Sequence, residues 1–193
     1  MPDALARDDV PRGQRWDHAD LFDDLAAFDA ALREVEGRVP ALAAFRGTLA
    51  RGPERLAAWL QAAEALERDV GRLRVWTSMA SSVDANDEPA RERADRVGAL
   101  ASRIAEATAF EVPELLAIGV DTLHDWLQDP SLADRERWLQ RLERDAPYVR
   151  SADIEALLGA LRTPFGGASA SHSILANAEL DVAPAHDEDG GEH

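Results

Sequence analysis

An all-α fold of antiparallel helical hairpins, packed as a bundle around a long central helix pair, is what this sequence predicts. Three observations carry that expectation. Apolar residues recur at spacings of three and four along nearly the whole chain. Two long apolar seams face each other across one short polar break. Alternation of the strand kind is confined to one short C-terminal stretch, which adds one short strand to the expectation.

The first helix is expected to begin at Asp20 as N-cap, with Asp23 and Asp24 in its first turn. Leu21, Leu25, Phe28, Leu32, Val35 and Val39 form its stripe. Pro40 ends it and opens a shorter helix carrying Leu42, Phe45 and Leu49, which stops near Gly52. Pro53 starts the longest element, with the seam Leu56, Leu60, Ala63, Leu66, Val70, Leu73, Thr77 and Ala80 and with Trp59 and Trp76 beside it. Gly71 inside this helix costs about 1 kcal/mol relative to Ala, and it suggests a close helix approach. The stretch from Asp84 to Pro89 breaks the helix. A second, Ala-rich seam follows at Ala90, Ala94, Val97, Ala101, Ile104 and Thr108, which predicts a tight antiparallel hairpin.

Shorter elements come next. Pro113 to Ile118 reads as a turn or so of helix stopped by Gly119. Asp121 can cap a helix carrying Leu123, Trp126 and Leu127, and Asp129-Pro130 breaks it. Leu132, Trp138, Leu139 and Leu142 define another, ended at Ala146-Pro147. Ser151 is an expected N-cap for Ala152 to Leu161. Pro164 to Gly167 is a loop, and a last helix is expected from Ala168 to Ala178. Glu179 to Ala183 alternates like a strand, and Asp187 to Gly191 has hairpin-turn chemistry. Two readings of the end stay open: a hairpin whose second strand is cut away, or an acidic disordered tail. The division expected is 1–15 as a flexible N-terminus, 16–183 as one helical lobe and 184–193 as tail or truncated hairpin.

Composition excludes whole classes of chemistry. The 193 residues hold 37 acidic and 21 basic side chains, a formal charge of −16. Every basic residue is Arg. Such a balance opposes nucleic acid and anionic membrane surfaces, both of which need a clustered positive field. Cysteine is absent, which removes disulfides, thiolate metal sites and Cys nucleophiles. No apolar run approaches the length of a membrane span, about 18 residues or more, and Met1 to Arg15 has no signal-peptide core. A soluble, cytoplasmic protein is expected.

The search for catalytic, cofactor-binding and metal-ligating residues yields none. The histidines are His18, His124, His172, His186 and His193, and no H-E-x-x-H joins any two of them. His124-Asp125 reads as a surface or half-buried pair, and the acidic tail from His186 to His193 lacks fixed geometry. The break from Asp84 begins like a calcium loop, but Pro89 stands where such a loop needs Gly and Asp95 where it needs Glu. Ser169, Ser171 and His172 lack a nucleophile-elbow context. Gly166-Gly167 is not followed by a phosphate-loop Lys. Trp16, Trp59, Trp76, Trp126 and Trp138 read as core more than as a peptide groove. Arg72, Arg74, Arg91, Arg93 and Arg96 intermix with Glu88, Glu92 and Asp95, which predicts an ion-paired surface.

Several ordered segments nevertheless carry a likeness. They are Trp16-Asp17-His18-Ala19-Asp20-Leu21-Phe22, then Leu42 to Leu49 with its Phe45-Arg46-Gly47, then the Val83-to-Asp87 loop. After these come Phe110-Glu111-Val112-Pro113-Glu114-Leu115-Leu116, Ser151 to Leu158, and Asn177 to Leu180. In this order they resemble the N-terminal helical part of the oligoendopeptidase F family of thimet-like zinc oligopeptidases, over roughly residues 15 to 183. Tyr148 stands where many members have His, and Arg150 where many have Leu. The resemblance implies a lobe that forms one wall of a peptide channel. In the family the zinc, its His-Glu-x-x-His ligands and the activating Glu lie in a C-terminal lobe, so no catalytic or ligand residue transfers to this chain. It also implies a truncated chain, inactive alone, with no cofactor of its own. Its partner would be the catalytic C-terminal part, a self-associating copy or short peptides. A stand-alone helical module for peptide or protein binding is the alternative.

Overall fold

The computed structural model describes residues 9–83, 87–149, 154 and 161. Among them every regular element is helical. The helices are α1 (Leu25–Ala43), α2 (Pro53–Val83), α3 (Glu88–Thr108), α4 (Glu111–Ile118), α5 (Val120–Trp126) and α6 (Glu136–Asp145). Short 3-10 turns lie at Arg12–Gln14, His18–Asp20, Leu49–Arg51 and Ala146–Tyr148. The fold is an all-α bundle around the long pair α2 and α3. The expected strand at Glu179 to Ala183, the helices from Ser151 to Leu161 and Ala168 to Ala178, and the 184–193 segment lie outside the described residues, apart from helical positions 154 and 161.

Side-chain pairs fix the directions of the long helices. Along α1 and α2, Phe28 stacks on Trp76, Arg38 pairs with Asp69, and Phe45 meets Trp59 just past the end of α1. Numbers rise on one side as they fall on the other, so the two are antiparallel. Between α2 and α3, Arg93 lies over Trp76 and Trp59 meets Phe110 just beyond α3, the same antiparallel pattern. Between α1 and α3, Asp29 pairs with Arg96 and Glu36 with Arg103, which makes them parallel. The central hairpin is therefore completed by α1 into an up-down-up sheaf.

The α2 seam is nearly as expected: Leu56, Leu60, Leu66, Val70, Leu73 and Thr77 are buried, with Trp59 and Trp76. On α3 the buried set is Ala90, Val97 and Leu100, and Leu100 was absent from the expected seam. Asp87 caps α3 by accepting from the Ala90 N–H at 3.0 Å, and Pro89 occupies the first turn, where its missing N–H costs nothing.

The first helix departs from expectation at both ends. Its N-cap is Asp24, which accepts from the Ala27 N–H at 2.8 Å, while Asp17 caps the preceding 3-10 turn. Leu25 therefore falls in the exposed first turn. Pro40 does not end α1, which continues to Ala43. The last turn carries Leu42 into the core, and that burial offsets the hydrogen bond that Pro40 cannot donate. Gly71 corrects a second expectation. A Cβ built there meets nothing within 4 Å, so it marks open space and no close helix contact.

Candidate functional site

Two of the sequence segments singled out above, Leu42 to Leu49 and Phe110 to Leu116, meet at one corner of the bundle. The connection between α1 and α2, residues 44–52, carries Phe45, Arg46, Gly47, Thr48 and Leu49. Gly47 has φ +72, a conformation that side chains with a Cβ adopt at a cost. It sets the turn so that two backbone N–H groups point the same way. The Gly47 N–H donates to Glu114 Oε1 at 2.5 Å and the Leu49 N–H to Glu114 Oε2 at 3.4 Å. Glu114 stands in the first turn of α4, where the helix dipole favours a carboxylate. The Thr48 hydroxyl donates to the Phe45 carbonyl at 2.5 Å and accepts from Arg55 Nε at 2.9 Å.

Aromatic packing backs this corner. Trp59 is fully buried between Phe45 and Phe110, with ring centroids 5.5 and 5.0 Å away. The Arg55 guanidinium sits 4.0 Å over Phe45, and Arg46 lies 5.6 Å over Phe110. The buried Trp59 Nε1–H has no partner of full hydrogen-bond geometry. The Glu111 carboxyl is the acceptor that approaches it. Burial holds the Glu111 pKa above the ordinary carboxylate value, and the approach of Trp59 lowers it by a smaller amount.

Beside Glu111 is an open cleft of about 270 Å³. Val112, Leu115, Trp138 and Leu142 line it, with the charged groups of Glu111, Arg141 and Asp145. Asp145 is already engaged by Arg144 at 2.9 Å, and that hydrogen bond lowers its pKa. The cleft therefore offers an apolar wall with charges at hand, and no nucleophile or metal-ligand set.

The other expected features separate. His124 is exposed and contacts Glu143 Oε1 at 2.5 Å, which staples α5 to α6. His18 lies against Trp76, with ring centroids 5.8 Å apart. His172, His186, His193, Ser169, Ser171, Gly166 and Gly167 lie outside the described residues, as do Asp84, Ala85 and Asn86. Trp59 and Trp76 are core, Trp126 and Trp138 pack half-buried against it, and Trp16 is exposed. The tryptophans thus form no continuous groove. Arg72 donates to the Leu21 carbonyl and covers Phe22, Arg74 pairs with Glu67, and Arg91 with Glu88. These arginines hold the bundle's surface and do not converge on an anion site. Sequence reasoning missed the reach of Glu114, because nothing in its local spacing points to amides 65 and 67 positions away.

Among the described residues no group of three or more His, Asp or Glu could hold a metal ion, and none of their helices is long and apolar enough to cross a membrane. Helices, caps and a buried aromatic corner define a helical lobe without a metal-gripping cluster in the described part. A family model described as Oligopeptidase F, Peptidase_M3_N, matches residues 114–181. The chain is 29% identical over 193 residues to Oligopeptidase PepF of Bacillus subtilis (strain 168), covering 100% of this chain and 28% of that protein. It is 23% identical over 181 residues to the plasmid Oligoendopeptidase F of Lactococcus lactis subsp. cremoris, covering 93% of this chain and 30% of the relative. The crystal structure of oligoendopeptidase-F from Enterococcus faecium superposes with TM-score 0.75 at 22% identity, over 86% of this chain and 33% of that one. A putative peptidase from Chlamydophila abortus gives 0.67 at 23%, over 97% and 32%, so both share the fold. At the level of family the chain matches homologues of the oligoendopeptidase F (M3) peptidases. It spans under a third of the length of the curated relatives it matches.

Proposed function

We propose that residues 16–183 form the N-terminal helical lobe of an oligoendopeptidase F-like zinc peptidase, lining one wall of a peptide channel and performing no hydrolysis alone. The observation that supports this most is one of coverage. The whole chain aligns to 28% of the Bacillus relative, and no H-E-x-x-H occurs anywhere in its 193 residues. Zinc in the family activates the attacking water, and among the described residues no set fits it. Its own part is to supply surface: the apolar wall around Trp138, and the rigid corner built by Glu114, Trp59 and Phe110. The partner is the catalytic part of such a peptidase, the ligand a short peptide and the setting the cytoplasm.

A quenched-fluorescent peptide assay with added zinc tests the claim of inactivity. No turnover is expected from the 193-residue chain. Zinc-dependent turnover that survives removal of contaminating peptidase overturns the proposal. The reading frame beyond codon 193 is a second test, and an encoded H-E-x-x-H is the expected finding. The cleft beside Trp138 favours a second reading, a self-contained peptide-binding module. A monodisperse chain that ignores hydrophobic dye yet binds peptides supports that module against the lobe.

A further inference from the structure

We infer that Glu114 is a latch that docks the short-helix array α4–α6 onto the three-helix sheaf α1–α3, through the loop 44–52. This inference goes beyond the proposed channel-wall role and does not depend on it.

The two parts differ in how they are held. Within the sheaf, long helices share a continuous seam, with Phe28, Leu32, Val35, Leu66, Val70 and Leu73 all buried. The array reaches the sheaf differently. The strongest contact between helical pieces across the boundary is that of α4 with the 3-10 turn Leu49–Arg51, on the loop that Glu114 grips. That grip is one carboxylate accepting from two backbone N–H groups, a charge-assisted arrangement stronger than neutral bonds. It depends on the left-handed Gly47, which aims both donors at one anion. A second tie is the ion pair between Arg135 and Glu64, where Glu64 is half exposed and contributes less. Apolar packing spans the boundary as well, because Phe110, Leu115, Leu123, Leu132 and Leu139 belong to the same buried core as the sheaf's seam, and Glu114 adds the directional polar tie to it. Because the loop also joins α1 to α2, the carboxylate sets the height of both helix ends against α4. Removing it therefore frees the loop and the array together, and leaves the sheaf's own seam intact.

Amide hydrogen exchange of the full chain tests this, with Glu114→Gln and Glu114→Ala beside the unchanged protein. In Glu114→Ala the Gly47 and Leu49 amides should exchange at least about tenfold faster, which is the loss expected for charge-assisted bonds. Faster exchange should extend through residues 111–127, while the amides of 56–73 keep their protection. Glu114→Gln retains one acceptor oxygen and should fall between the two. A Glu64→Gln variant, which weakens the second tie, should leave Gly47 and Leu49 protected. Unchanged exchange at Gly47 and Leu49 overturns the latch. So does an equal rise across 56–73, because that marks loss of general stability and not release at one boundary.

Discussion

Glu111 carries the clearest titration consequence at the scale of single residues. Burial raises its pKa in the folded chain above the value it has when unfolded, with Trp59 opposing in part. A raised carboxyl pKa means that the folded state binds its proton more tightly than the unfolded state does. The stability it contributes is present below the unfolded pKa and is lost as pH rises through the folded pKa. At neutral pH the ionised group therefore disfavours the fold. Replacing it with Gln removes the charge while keeping an acceptor for the Trp59 N–H. Glu111→Gln should unfold at higher urea than the parent at pH 7, and the gap should close below the ordinary carboxylate range. A gap that widens on acidification contradicts the assignment. Gly47 gives a complementary residue-scale prediction. Although a Cβ there meets nothing within 4 Å, its φ of +72 makes Gly47→Ala cost about 1–2 kcal/mol in urea melts. An unchanged midpoint would show that the turn relaxes freely.

Among the elements, α2 and α3 were legible because their seams are long, and Pro53 marks the start of α2, while α3 begins at Glu88, inside the stretch expected as a break. Gly119 as a stop was legible for the same local reason, and its φ of +90 agrees. The start of α1 was not, because Asp17, Asp20, Asp23 and Asp24 all satisfy the same capping preference and only tertiary packing chooses among them. Packing also overrode Pro40, since Leu42, next to the last residue of α1, is buried. These choices can be measured. Asp24→Ala should cost about 1 kcal/mol of stability, the ordinary value of an N-cap, while Asp20→Ala should cost far less. The reverse order would return the helix start to Asp20. Gly71→Ala tests the other misreading. With open space around it inside α2, the substitution should stabilise by about 0.5–1 kcal/mol, where a close helix contact would make it destabilise.

For the whole molecule, class and hairpin followed from periodicity, while the corner that organises the site did not. Glu114, Gly47 and Leu49 meet across 65 and 67 positions, and spacing along a chain carries no record of such meetings. Their segments stood out only by resemblance. Charge, in contrast, is fully legible from composition, and it sets a global behaviour. A net charge of −16 on 193 residues makes the compact state repel itself. Against this stand ion pairs such as Arg38–Asp69 at 2.5 Å and Arg103–Glu36 at 3.3 Å. Salt screens both, but not equally. Raising sodium chloride from about 10 mM to about 100 mM shortens the screening length from about 30 Å to about 10 Å. The pairs lie well inside even the shorter length, and being partly exposed to solvent they contribute only about 1 kcal/mol each. Repulsion among scattered carboxylates acts over longer distances and is cut most. The melting temperature should therefore rise with salt across this range. In Arg38→Gln the rise should be at least as large, because one attraction is lost and one more negative charge is left unopposed. A melting temperature that falls with salt would mean that the ion pairs, not the surplus of carboxylates, dominate the electrostatics of the folded chain.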